Sequence, residues 1–220
     1  MANLGKVLAW GIENSLPGEE GNKQTELTQK DLADLFMNQK SDATLMIESM
    51  DAISSPDEAW KNADGTHMSA SEILENKKTA FDNFEQLVEQ LDNAMNIENL
   101  KLWPALLAQL KSDHRDLREL ALWCCGTAVQ NNEKTQKDLF NHGGIEAITE
   151  MMLKDEDAAV RKKACYAFSS AVRNFQEGLD KGMALLPEEY QIKGLSAEDM
   201  PGVDRLMEQL RGRAAKVISQ

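Results

Sequence analysis

Two stretches of this 220-residue chain align with each other at a fixed offset. Residues 117–132 read LRELALWCCGTAVQNN, and 43 residues on, residues 160–175 read VRKKACYAFSSAVRNF. Leu117 meets Val160, Arg118 meets Arg161, Ala121 meets Ala164 and Trp123 meets Tyr166. Ala128 meets Ala171, Val129 meets Val172 and Asn131 meets Asn174. The preceding LKSDH (residues 110–114) and LKDED (153–157) keep the register. An upstream copy fits at an offset near 39, with LVEQLDNAMNIENL (87–100) under GTAVQNNEKTQKDL (126–139). A period of about 40 residues with two or three helices per unit is the signature of armadillo or HEAT arrays. A unit of that size cannot bury its apolar face alone, so its neighbours must stack on it.

The stripes agree. Leu117, Leu120, Ala121, Cys124 and Ala128 share one helical face, as do Val160, Ala164, Ala167, Phe168 and Ala171 in the second copy. Small residues at 121, 126, 164, 169 and 171 permit close helix approach, and Gly143 with Gly144 breaks the chain between helices. Leu, Ala, Met, Glu and Lys dominate, with no β-branched alternation, which reads as all-α. Past Phe175 the repeat decays. A final amphipathic helix (Val203, Leu206, Met207, Leu210, Ala214, Val217) reads as the cap that closes the array. The expected architecture is an all-α, armadillo-like helical-repeat solenoid over residues 69–220. It carries an N-terminal arm of short helices and flexible chain over residues 1–68, partly disordered.

Net charge is −13, and residues 1–70 carry 5 basic against 12 acidic side chains, over half of that imbalance. An acidic surface of this kind repels phosphate backbones and anionic lipid, so neither nucleic acid nor membrane is an expected partner. No segment has the length and apolarity of a membrane span, and the N-terminus makes a poor secretory signal. The three cysteines give no disulfide framework and fit a reducing cytoplasm. Cys124 and Cys125 are adjacent and so point about 100° apart on a helix, and the three histidines lack ligand spacing. The expectation is buried structural cysteines, no metal and no cofactor. Without a P-loop, dinucleotide fingerprint or nucleophile elbow, the chain is not expected to be an enzyme.

The informative polar residues close the long repeat helices: Asn93 and Ala94 in LDNAMN, Gln130, Asn131 and Asn132 in VQNN, Arg173 and Asn174 in VRNF. Two readings apply. Asn is a good helix C-cap. A recurring ladder of amides and a guanidinium also suits the inner face of a solenoid that binds a partner protein. In the arm, Leu4, Val7, Leu8 and Ile12 share one short helical face, with Trp10 in the same apolar run, and Leu45, Met46 and Met50 lie on another.

AFDNFEQLVEQLDNAMNIENLKLW, GTAVQNN and KACYAFSSAVRN closely resemble the Fes-one family of armadillo nucleotide exchange factors. This family is the fungal counterpart of heat-shock-chaperone-binding protein one. VLAWGIENS and ATLMIESMDAI match its N-terminal pattern. The likeness runs to about Phe175. The resemblance implies a monomeric cytosolic co-chaperone of heat-shock seventy (DnaK-class) ATPases. Its concave armadillo face would grip one lobe of the nucleotide-binding domain and speed ADP release. The resemblance also implies that the arm, through Leu4 to Ile12 and Leu45, Met46 and Met50, acts as a pseudo-substrate at the substrate-binding domain and helps release client. Ala94 matches a small residue that the family presents to the chaperone. Longer relatives add a later basic helix, for which only Arg205 or Arg211 could stand in here. A generic armadillo adaptor holding an extended peptide is the alternative, but it lacks the regular Trp-Asn pairs of peptide-binding arrays.

Overall fold

The computed structural model describes Thr28 and residues 40–216. The chain divides into two compact units, Met1–Ser41 and Asp42–Gln220. Leu4, Val7, Leu8, Trp10, Ile12 and Val217 lie outside the described residues.

Among the described residues, every element of the second unit is helical, apart from one isolated bridge between Lys61 and His67. The α-helices are α1 (Asp42–Ser54), α2 (Ala70–Val88), α3 (Leu91–Asn99), α4 (Trp103–Ala108) and α5 (Arg115–Ala128). There follow α6 (Glu133–Asn141), α7 (Gly144–Lys154), α8 (Ala158–Val172), α9 (Gln176–Leu185) and α10 (Met200–Ala214). The repeat is visible in these bounds. Helix α8 starts 43 residues after α5, and α9 starts 43 residues after α6. The register read from the sequence is thus the register of the helices.

The longer helices form one row in which α1 packs on α2, α2 on α5, α5 on α8 and α8 on α10. The shorter helices form a second layer, with α3 on α6, α6 on α7 and α7 on α9. One apolar core runs through both, from Met46 on α1 to Ala214 on α10. Such stacking makes each interface a nearest-neighbour contact. The α5–α8 approach depends on Gly126, where an added Cβ would sit 2.4 Å from Cε1 of Tyr166. The three cysteines are free and buried, as expected. Burial pushes the Cys125 thiol up to about 12 and the Cys165 thiol up to about 11, so neither supplies thiolate at neutral pH.

Two buried arginines express the repeat most directly. Arg118 places Nη1 on the carbonyls of Ser112 and Asp113, at 3.0 and 3.3 Å. Its Nε and Nη2 then fork onto the Asp155 carboxylate of the next unit, at 2.7 and 3.1 Å. One unit on, Arg161 places Nη1 on the carbonyls of Asp155 and Glu156, at 2.7 and 2.9 Å. These four carbonyls correspond through the same 43-residue offset. Arg161 has no carboxylate ahead of it among the described residues. Its Nε and Nη2 instead take the carbonyls of Ala214 and Lys216, at 3.0 and 2.6 Å, at the end of α10. The partial negative charge of a helix C-terminus stands in for the missing acid.

Two expectations change. The arm was drawn to residue 68, whereas the unit boundary falls between Ser41 and Asp42. The reason is packing: α1 lays Met46, Met50 and Ile53 on α2, with 0%, 2% and 1% of their surfaces exposed. The following loop is held by the Lys61–His67 bridge and by a capping box in which Ser69 and Glu72 satisfy each other's backbone N–H groups. Met46 and Met50 are therefore core residues, and of the three arm positions on α1 only Leu45 is exposed.

Candidate partner-binding face

The helix-end residues separate into two groups. Asn93, Ala94 and Asn132 are buried. Asn93 Nδ2 donates to the Asp42 carboxylate at 2.9 Å and to the Leu87 carbonyl at 3.0 Å, tying α3 to α1 and α2. Asn132 is the N-cap of α6 and accepts from the Thr135 backbone N–H. Ala94 is 3% exposed in the first turns of α3. A bulky residue there meets this protein's own core before it meets a partner, so Ala94→Arg mixes misfolding with any loss of binding.

Gln130, Asn131 and Asn174 are exposed. Asn131 and Asn174 adopt the left-handed conformation, with φ of 54° and 57°, just past α5 and α8. Asn accepts this conformation more readily than most residues, so both are helix stops by backbone requirement. Arg173 is half-buried. It donates through Nε to Ser169 Oγ at 2.9 Å and through Nη2 to the Asp204 carboxylate, joining α8 to α10. The amide row is thus largely the hardware of helix ends, with Gln130 free to face outward.

A second polar row lies across the long helices themselves. Glu85 on α2 accepts from Thr127 Oγ1 on α5 at 2.8 Å, and Thr127 lies 3.3 Å from the Tyr166 hydroxyl on α8. Lys163 Nζ sits 4.8 Å from the Trp123 ring centre and 5.8 Å from that of Tyr166, in cation–π range of both. Trp123, Thr127, Lys163 and Tyr166 are all half-buried. Large aromatics with polar tips, held rigid by neighbours, are the groups that anchor protein interfaces. The repeat pairs Trp123 with Tyr166, so the sequence did carry a signal for this row.

Glu85 is 5% exposed. Burial raises its pKa, against the lowering effect of the Thr127 hydrogen bond. The folded state therefore holds this proton more tightly than the unfolded chain. Stability falls as pH rises from the ordinary glutamate value through the raised one, and the penalty persists above. Glu85→Gln keeps an oxygen for Thr127 and removes the charge. It should unfold at a higher temperature than the parent at pH 7, and at the same temperature below about pH 4. Melting curves of both proteins across that range check this; a gap that stays constant with pH would contradict it.

No group of three or more metal-ligating side chains occurs among the described residues. No helix among them is long and apolar enough to cross a membrane.

The sequence matches the family model described as nucleotide exchange factor Fes1 over residues 4–97. It also matches the SIL1/FES1/HPBP1 C-terminal domain over residues 93–182. The chain is similar to a Gibberella zeae protein named Hsp70 nucleotide exchange factor FES1, 43% identical over 97% of each chain. A Coccidioides immitis protein of the same name is 39% identical, over 96% of this chain and 97% of its own length. The Yarrowia lipolytica protein of that name is 41% identical over 78% of this chain and only 55% of its own, so longer members exist. An all-α repeat with its register intact, matched nearly end to end, places the chain in the Fes1 family of nucleotide exchange factors.

Proposed function

We propose that the chain speeds ADP release from a cytosolic Hsp70 chaperone by binding its nucleotide-binding domain through the exposed face of α2, α5, α8 and α10. The observation that supports the exchange activity is the near end-to-end match, at 43% and 39% identity, to proteins named Hsp70 nucleotide exchange factor FES1. As a family member the chain works by binding and is not an enzyme. An exchange factor binds the open form of the nucleotide cleft better than the closed form, and only that difference shifts the cleft. A hundredfold faster release requires about 2.8 kcal/mol of differential affinity. The Trp123, Thr127, Lys163 and Tyr166 row, continued by Arg173 and Gln130, supplies rigid contacts for it.

The arm has a separate task in this reading. Residues 1–41, with Leu4, Val7, Leu8, Trp10 and Ile12, compete with client polypeptide at the chaperone's substrate-binding domain. The cut between the two tasks belongs at residue 41 and not at 68, since removing α1 would strip Met46, Met50 and Ile53 from the core. Deleting residues 1–41 should leave ADP release within about twofold and slow client release. Equal loss of both would contradict this division of labour.

A further inference from the structure

Helices α1 and α2 and the loop joining them enclose a groove of about 850 Å³. One wall carries exposed amides, Asn76, Asn83 and Gln86 on α2 and Gln90 just beyond its end. The spacing of seven and three residues keeps the first three on one helical face. The apolar side is built by Leu45 and Ala52 from α1 and by Trp60 and Met68 from the loop. The indole Nε1 of Trp60 is buried with no hydrogen-bond acceptor among the described residues.

The composition of this lining is selective. In a chain with 28% charged residues, Glu48 is the only charged side chain among the described residues that line the groove. A charged ligand would lose water there and gain little in return. A side-chain amide, by contrast, donates and accepts, which matches the one donor and one acceptor that each peptide unit offers. From Asn76 to Gln86 the row runs about 15 Å along the helix. That length accommodates about four residues of extended chain. Trp60 and Met68 give one apolar side chain a soft, adaptable seat. A bound carbonyl would also satisfy the Trp60 N–H after a small turn of the ring.

We propose that the α1–α2 groove binds an extended, uncharged polypeptide segment, its backbone along the amide row and an apolar side chain against Trp60 and Met68. The groove lies on the α1 side of α2, whereas the Glu85, Thr127 and Tyr166 row runs from α2 towards α5 and α8. The α2 residues in the groove flank Glu85, whose hydrogen bond points to α5, and peptide binding here does not depend on ADP release.

The test uses the full chain and a fluorescent eight-residue peptide of alternating leucine and serine, read by anisotropy. Saturable binding is expected, weakened about tenfold when the serines are replaced by aspartate or by lysine. Asn83→Lys, at an exposed position, should weaken binding similarly while leaving the melting temperature unchanged. Trp60→Phe keeps an aromatic six-membered ring against Met68 and removes the pyrrole half with its stranded donor, so affinity should drop while the melting temperature changes little. No binding, equal binding of charged and neutral peptides, or indifference to Asn83→Lys would overturn the proposal. Self-association without peptide that Asn83→Lys abolishes would also overturn it, by putting a second copy of the chain in the groove.

Discussion

Arg161→Met should cost the fold about 3 kcal/mol, because it orphans two fully buried carbonyls, those of Asp155 and Ala214, at about 1–3 kcal/mol each. Methionine restores most of the volume, so the loss is mainly polar. The parent arginine is 1% exposed and, among the described residues, is compensated by its carbonyl cage and by no carboxylate. At this chain length the expected drop in melting temperature is about 6–12 °C. Arg161→Lys should fall between, since an ammonium keeps the charge but cannot fork onto four acceptors. The cage joins α8 to the last helix, so its failure should open the C-terminal end first. Hydrogen exchange should report faster exchange in α10 than in α5. A loss under about 1 kcal/mol would show that water replaces the guanidinium without cost.

The second large effect concerns function. Trp123→Glu places a carboxylate in the row that crosses α5 and α8, one helical turn from Thr127, which holds Glu85, and in place of the ring over which Lys163 lies. Trp123 is half-buried at the surface of the core, so helical content should survive. Truncation of a central interface aromatic costs about 2–4 kcal/mol, and the acceleration of ADP release should fall at least about thirtyfold. Unchanged acceleration with intact helicity would move the partner surface away from the long helices. Ala94→Arg is the poorer probe, because its site is closed by the protein itself.

How much could be read from residues alone depended on what each residue answered to. The 43-residue register was legible because stacking repeats the same demand: Arg118 and Arg161 serve equivalent carbonyls, and Asn131 and Asn174 stop equivalent helices. The amide ladder looked functional for the same reason, since a repeated backbone requirement and a repeated binding contact leave the same trace. Met46 and Met50 were misplaced in the arm because a short apolar face shows that it packs but not on what. Only α2, a loop and more than a dozen residues away, decides that. The Glu85–Thr127–Tyr166 chain spans three units, with separations of 42 and 39 residues. No local window contains it, although the Trp123–Tyr166 match pointed to that face.

The central claim is that this chain, by binding alone, opens an Hsp70 nucleotide cleft. Its most direct test is the release rate of a fluorescent ADP analogue from a cytosolic Hsp70, followed by stopped flow with increasing amounts of the full chain. The account predicts a rate that rises and saturates, reaches at least about tenfold over the spontaneous rate, and returns to baseline with Trp123→Glu. A release rate indifferent to the chain, across several cytosolic Hsp70 proteins, would contradict it.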